Sequence, residues 1–260
     1  MERVRVVLAR RHGSAQVLLA IAAVELYELL RRLIQPDWPV AIRHARDVFA
    51  LEQLAHLDVE GAVQRLALHA PPLVAALDLF YLAAHWVVTA LFLVWLYRRS
   101  RDRFLFFRDA LLVATAAALV VHVSFPAAPP RLAGLGIEDT VRSLLGFDIG
   151  SPQSSPFSDP VAALPSLHAG WALAVGVGVA ITARRRLTRV VGALYPLLVV
   201  IATIATGNHF LLDAVAGMAV MGLGFGAAAG LRRLTRPGGV AVVTSLSRRG
   251  VEQPGSSPGS

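Results

Sequence analysis

The chain has 260 residues, of which 55% are hydrophobic and 16% charged, with a formal net charge of +8. Soluble domains carry about 25% charged residues, so the composition points to a membrane protein, and basic residues clustered between apolar runs read as loop anchors in a bilayer rather than a nucleic-acid surface. With no cysteine in the chain, disulfides and thiolate metal sites are excluded.

A membrane-spanning helix needs about 20 mostly apolar residues. The first such run covers about 14–34 and contains Glu25 and Glu28, which can pair with Arg31 or Arg32 near the membrane surface. It lacks a clear small-residue cleavage site and is read as a retained first helix rather than a signal peptide. Residues 36–70 alternate charged side chains (Arg43, Arg46, Asp47, Glu52, Asp58, Glu60, Arg65) with Val, Leu and Ala. That pattern predicts one or two amphipathic helices lying in the interface or packed over the bundle, with His44, His56 and His69 interfacial. The second span is predicted at about 73–97 and the third at about 108–125, running into the proline-rich stretch that ends at Arg131. A polar loop follows over 132–163. Spans four, five and six are predicted at about 165–183, 190–206 and 208–230, and the Pro-, Gly- and Ser-rich segment 236–260 reads as a disordered tail. The expected fold is therefore all-α: a single six-helix integral membrane bundle over 1–235, with an amphipathic segment after the first span.

All 25 basic residues are arginine, a bias that looks like GC-rich coding; the expected location is a bacterial plasma membrane. Arginines crowd the N-terminal segment, the link over 98–108, the link over 184–189 and the segment from Arg232 to Arg236, all on one side of a six-span chain. The loop over 31–65 is the discordant member. The balance predicts both termini in the cytoplasm, and Arg131, Ser166, His168 and His209 then lie near helix ends on the outer face.

Two short segments carry most of the chemistry. In Thr206-Gly207-Asn208-His209-Phe210-Leu211-Leu212-Asp213, His209 and Asp213 are four apart and share one face of a helix. Asp213 can fix the tautomer of His209 and leave its other nitrogen free to attack phosphorus; a pair that merely stabilises a helix start has the same spacing. In Leu164-Pro165-Ser166-Leu167-His168-Ala169-Gly170, Pro165 suits a helix start and Ser166 can cap the helix or bind an anion. His168 is then placed to protonate a leaving oxygen. Arg131 follows two prolines, a stiff mount for a guanidinium that clamps phosphate oxygens; taken alone, the residue reads rather as an interfacial Arg that snorkels to headgroups. Asp78, Tyr81 and His85 recur at helical spacing on the second span and form either a cavity lining or a structural polar seam, and His122 on the third span has the same two readings.

In this order, Arg, then Ser-x-His, then His-x-x-x-Asp resembles the type 2 phosphatidic acid phosphatase superfamily over roughly 80–230. Pro-Ser-Leu-His-Ala-Gly and Gly-Asn-His-Phe-Leu-Leu-Asp-Ala-Val-Ala-Gly look like its second and third signature blocks. Ala-Pro-Pro-Arg131 looks like the variant first block of the inositol-phosphorylceramide-synthase-like branch. The resemblance implies a six-helix bundle, His209 as nucleophile, Asp213 orienting it, His168 as general acid, Arg131 and Ser166 holding phosphoryl oxygens, and no metal or other cofactor. Ser124 stands where the phosphatase-type pattern has Lys, Leu132 where it has Pro, and Ala202-Thr203 where it has Ser-Arg. Two phosphate-binding cations are thus replaced, and Arg142 in the outer loop is a candidate substitute. The implied activity is a lipid phosphate phosphohydrolase working through a phosphohistidine, with a lipid substrate, the bilayer as partner and no nucleic acid. The alternative is a phosphotransferase that moves a phospho-headgroup to a lipid alcohol. A non-enzymatic lipid-binding or transport protein with a degenerate site is a third reading, opposed by the retained His, Asp, Ser and Arg.

Overall fold

The computed structural model describes residue 16 and residues 37–150 and 161–235. The predicted first span, apart from Gln16, and the tail 236–260 lie outside the described residues. Among those described there are eight α-helices and no strand. They are α1 (Trp38–Leu54), α2 (Glu60–Ala67), α3 (Pro71–Arg99), α4 (Arg101–Ser124), α5 (Thr140–Leu145), α6 (Leu167–Thr182), α7 (Arg186–Ala205) and α8 (Leu211–Thr235). Helices α3, α4, α7 and α8 are long and apolar enough to cross a membrane. Helix α6 is apolar but has 16 residues, about 24 Å at 1.5 Å per residue. The chain is an integral membrane protein on this evidence.

Helix ends follow local chemistry. Asp37 caps α1 by accepting from the Val40 N–H at 3.2 Å, and Pro71 and Pro72 open α3, where no intrahelical donor is lost. The arginine-rich link predicted between the second and third spans is helical almost throughout. Ser100 alone, in extended conformation, separates α3 from α4. Charged side chains that anchor a helix end at the membrane surface do not prevent the helix from continuing past it. The last span also differs from the expected 208–230. Helix α8 starts at Leu211, so His209 lies ahead of the helix. Gly207 is responsible: its φ of +68° turns the chain out of α7, and a Cβ there would sit 2.7 Å from Ile137 Cγ2.

The main core lies between α3, α4, α6 and α8 and includes Phe92, Leu96, Phe107, Leu111, Val175 and Met221. Leu91, Val120, Leu194 and Leu223 point outward from the long helices, as a lipid-facing surface requires. Helix α6 packs along both α7 and α8. Glycines set the closest approach: a Cβ on Gly170 would meet the Gly217 carbonyl oxygen at 2.7 Å, and one on Gly217 would collide with the Ser166 carbonyl. A second cluster joins Ala41, Ala45 and Val48 of α1 to Ala128, Ala133, Val161 and Phe210. Here Ala127 pairs with the opposite segment through Ala127 N–H to Val161 O (2.8 Å) and Ala163 N–H to Ala127 O (3.1 Å).

The usual sense of amphipathicity holds along most of α1 but is reversed at its C-terminal end and in α2. Glu52, Glu60 and Gln64 are buried, whereas Leu51, Leu54, Leu57 and Leu66 are exposed. His44, expected to be interfacial, is partly buried: its Nδ1 lies 2.8 Å from the Pro126 carbonyl and its ring stacks on Phe125.

Candidate active site

Four chain segments meet at one end of the bundle: the turn before α8, the start of α6, the short helical turn Pro130–Leu132, and the first half of α3. The turn before α8 is held by the last turn of α7, whose Thr203 carbonyl accepts from the Asn208 and His209 N–H groups at 2.9 and 3.2 Å. The His209 ring is almost fully enclosed, its side chain 6% exposed. Its Nδ1 lies 3.0 Å from the Ala163 carbonyl and 3.4 Å from Asp213 Oδ2. A carbonyl only accepts, so Nδ1 carries a proton, and in the neutral ring the lone pair is then on Nε2. Nε2 is buried without a hydrogen-bond partner among the described residues.

The sequence pattern predicts Asp213 alone as the orienting group, through a shared helical face. The stronger contact is instead to the Ala163 backbone, because His209 lies outside the helix and the Ala127–Ala163 pairing carries that carbonyl under the ring. Asp213 does two things at once. Its Oδ2 accepts from the Phe210 N–H at 2.9 Å, capping α8, and faces the imidazole.

Ser166 is the N-cap of α6. Its Oγ accepts from the Ala169 N–H at 3.3 Å, its own N–H donates to the Asp213 carbonyl at 2.9 Å, and the residue is fully buried. Of the two roles expected for it, capping is the one its contacts express. The backbone bond ties the two motif segments directly together.

His168, in the first turn of α6, comes within 5.5 Å of His209 between ring centroids. Tyr81 stacks on it at 4.3 Å and His85 lies beside it at 4.4 Å. His85 in turn stacks on Trp171 at 4.2 Å, and the Trp171 indole donates to Thr115 at 3.1 Å. Of the predicted helix-two seam, Tyr81 and His85 are therefore in the site, and they line a narrow pocket with His168, Trp171, Tyr195 and Thr203. Asp78, about one turn before Tyr81 on α3, is buried beside the Arg131–Asp139 pair and accepts from the Thr140 hydroxyl at 2.9 Å. His122 is also buried, with Nε2 3.1 Å from the Pro165 carbonyl.

Arg131 reaches the same neighbourhood. Its backbone N–H donates to the Gly207 carbonyl (3.1 Å), Nε to Asn208 Oδ1 (2.9 Å) and Nη1 to Asp139 Oδ2 (2.9 Å), with the side chain 4% exposed. The planar guanidinium is thus fixed in orientation by a neighbour of His209 and by the N-cap residue of α5. Arg142 is exposed on α5.

Sequence reasoning missed four contributors. Asn208 and Asp139 hold Arg131. Glu52 Oε1 accepts from the Leu212 N–H at 2.7 Å, and Glu60 Oε1 from the Leu211 N–H at 2.8 Å. The available signal was that Glu52 continues the 41, 45, 48 spacing of the apolar face of α1, and that Glu60 and Gln64 share one face of α2. Among the described residues no three His, Asp or Glu side chains are arranged to hold a metal ion.

A family model described as the PAP2 superfamily matches residues 46–227. No curated protein and no solved structure matches the chain.

Proposed function

Since the chain belongs to the PAP2 superfamily, whose membership carries phosphoric ester hydrolysis or related phosphotransfer, we propose that it is a lipid phosphate phosphohydrolase acting through a phosphohistidine on His209. The observation that carries this reading is the state of that ring: Nδ1 is held by Ala163 with Asp213 beside it, and Nε2 is bare and enclosed. An imidazole fixed in one tautomer attacks without first losing a proton or reorienting.

The reaction runs in two steps. His209 Nε2 attacks phosphorus as the bond to the lipid oxygen breaks, and protonated His168 gives its proton to that oxygen. Water then attacks the phosphohistidine. His168 takes a proton from it, the P–N bond breaks, and Nε2 regains its lone pair. Arg131 and the amides at the start of α6 are the groups for the phosphoryl oxygens, Ser166 holding those amides in place. Most of the acceleration in such a site comes from positioning and charge stabilisation. The lipid enters from the bilayer, and with six spans the arginine-rich links put both termini in the cytoplasm and the site on the outer side. Helices α1 and α2, with leucines outward, suit the membrane interface. The coding bias suits a bacterial plasma membrane.

A second reading is favoured by one observation. Thr203, at the position of a phosphate-binding Arg in the family pattern, lines the pocket beside His168 together with Tyr81, His85 and Trp171. Replacing a cation by a small polar residue suits an alcohol acceptor, and hence a phosphotransferase of the inositol-phosphorylceramide-synthase-like branch.

Phosphate release from a panel of lipid phosphates, by the purified full-length protein in detergent with chelator present, tests both. Wild type is expected to release phosphate, and His209→Ala to lose about a thousandfold or more. Release that is unchanged in His209→Ala overturns the mechanism. Diversion of the phosphoryl group onto an added lipid alcohol, in place of free phosphate, selects the transferase.

A further inference from the structure

The first N–H groups of a helix have no intrahelical acceptor, and a side chain near the helix start commonly supplies one. Helix α8 meets this need from three places. Asp213 takes the Phe210 N–H from within the first turn, while Glu60 of α2 takes the Leu211 N–H and Glu52 of α1 takes the Leu212 N–H. All three carboxyl groups belong to fully buried residues. Among the described residues Glu52 Oε2, Glu60 Oε2 and Asp213 Oδ1 are buried without a hydrogen-bond partner, and Glu60 and Asp213 are near enough to Glu52 to repel its charge. Like charges gathered in a buried site disfavour ionisation of the whole set.

We propose that Glu52 and Glu60 are positioning residues for the nucleophile: together they clamp the start of α8 and so fix where His209 and Asp213 stand. This rests on the phosphohistidine reading for its catalytic meaning, but the clamp itself does not. A carboxylate at a helix N-terminus is favoured by the backbone dipole, while burial and like-charge neighbours oppose ionising every member of the cluster. The charged groups facing Glu52 are Glu60 from α2 and Asp213 from α8, the latter in turn 3.4 Å from His209 Nδ1. Burial, reinforced by those two carboxylates, pushes the Glu52 carboxyl up to about 8, and burial raises Glu60 as well. Ionising both would place a further negative charge among three buried carboxyl groups and force the clamp open. The site should therefore loosen above about pH 8.

Hydrogen exchange of the full-length protein in detergent, read on the segment 206–214, tests the clamp without any substrate. Glu52→Ala should exchange about tenfold faster or more in that segment, with α4 unchanged. Glu52→Gln keeps the acceptor for Leu212 and does not titrate. It should restore most of the protection and hold it at alkaline pH, where wild type loses it. In phosphate release, Glu52→Ala should lower kcat with KM retained, and Glu52→Gln should extend the alkaline limb of the profile. Equal exchange in wild type and Glu52→Ala overturns the proposal, as does an alkaline loss in Glu52→Gln identical to that of wild type. If Glu52→Ala does not fold, the comparison of wild type with Glu52→Gln decides alone. If wild type releases no phosphate from any lipid, the functional reading fails while the exchange result still judges the clamp.

Discussion

The Tyr81 phenol lies nearly flat on the His168 imidazole, with ring centroids 4.3 Å apart and 24° between the planes. A stacked ring restrains the imidazole about its side-chain torsions without occupying either nitrogen. Tyr81→Phe should keep that restraint and most of the activity. Tyr81→Ala should lower kcat about fivefold to tenfold, the value of one aromatic contact, with KM less affected. Steady-state kinetics on a single lipid phosphate would check this, and equal losses in both variants would mean that the hydroxyl, not the stack, matters.

His168 stands 5.5 Å from His209 between ring centroids and has the role of proton donor in the proposed reaction. Removing a general acid costs about 10²- to 10⁴-fold when the leaving oxygen is an alkoxide. The cost shrinks when the leaving group is a nitrophenolate, which departs without protonation. His168→Ala should therefore be far more damaged on a lipid phosphate than on p-nitrophenyl phosphate. In a single-turnover measurement of the first step, a uniform loss on the two substrates would remove the proton-donor role from His168.

Gly217 has the Ser166 carbonyl pressed against its Cα face. In Gly217→Ala the new methyl must push α6 and α8 apart at backbone, which cannot move aside as a flexible side chain can. Overpacking of this kind costs about 1–3 kcal/mol. A drop of several degrees in Tm is expected, together with loss of activity, because the same displacement separates His168 from His209. Gly222→Ala, on the same helix with open space around its Cα, is the control and should leave Tm near wild type.

The raised Glu52 carboxyl gives a definite sign to the pH dependence of stability. Its ordinary value is 4.5 and its folded value about 8, so between those limits the folded state binds more protons than the unfolded state. Stability contributed by this group is highest below 4.5 and is lost as pH rises through 8. Wild type should accordingly lose Tm across that window more steeply than Glu52→Gln, whose amide does not titrate. Parallel Tm–pH curves for the two proteins would show that Glu52 does not carry the effect.

Membrane character and the two motif segments were legible in the sequence because each has a strong local signature: long apolar runs for the first, ionisable residues at the head of an apolar helix for the second. His209, His168, Tyr81 and His85 do come together, as do Arg131 and the turn that carries His209. What was not legible depends on long-range backbone contacts. The bond from His209 Nδ1 to Ala163 requires knowing that 127 and 163 pair, and no periodicity reports that. The start of α8 at Leu211 rather than 208 depends on Gly207 adopting a left-handed turn. Most instructive are Glu52 and Glu60. In an amphipathic helix near a membrane, acidic residues read as the solvated side, but here the leucines face outward and the carboxyl groups face in.

The bonds from Glu60 to Leu211 and from Glu52 to Leu212 join residues 151 and 160 positions apart. The ribosome delivers α1 and α2 early and α8 late, so two buried acidic side chains must wait for the final helix before they find their partners. Until α8 is in place, neither carboxyl group has the backbone N–H that it holds in the finished fold, so the seat of His209 and the pairing of the acidic side chains are completed together. Slow, order-dependent maturation is the expected cost of contacts so distant in sequence.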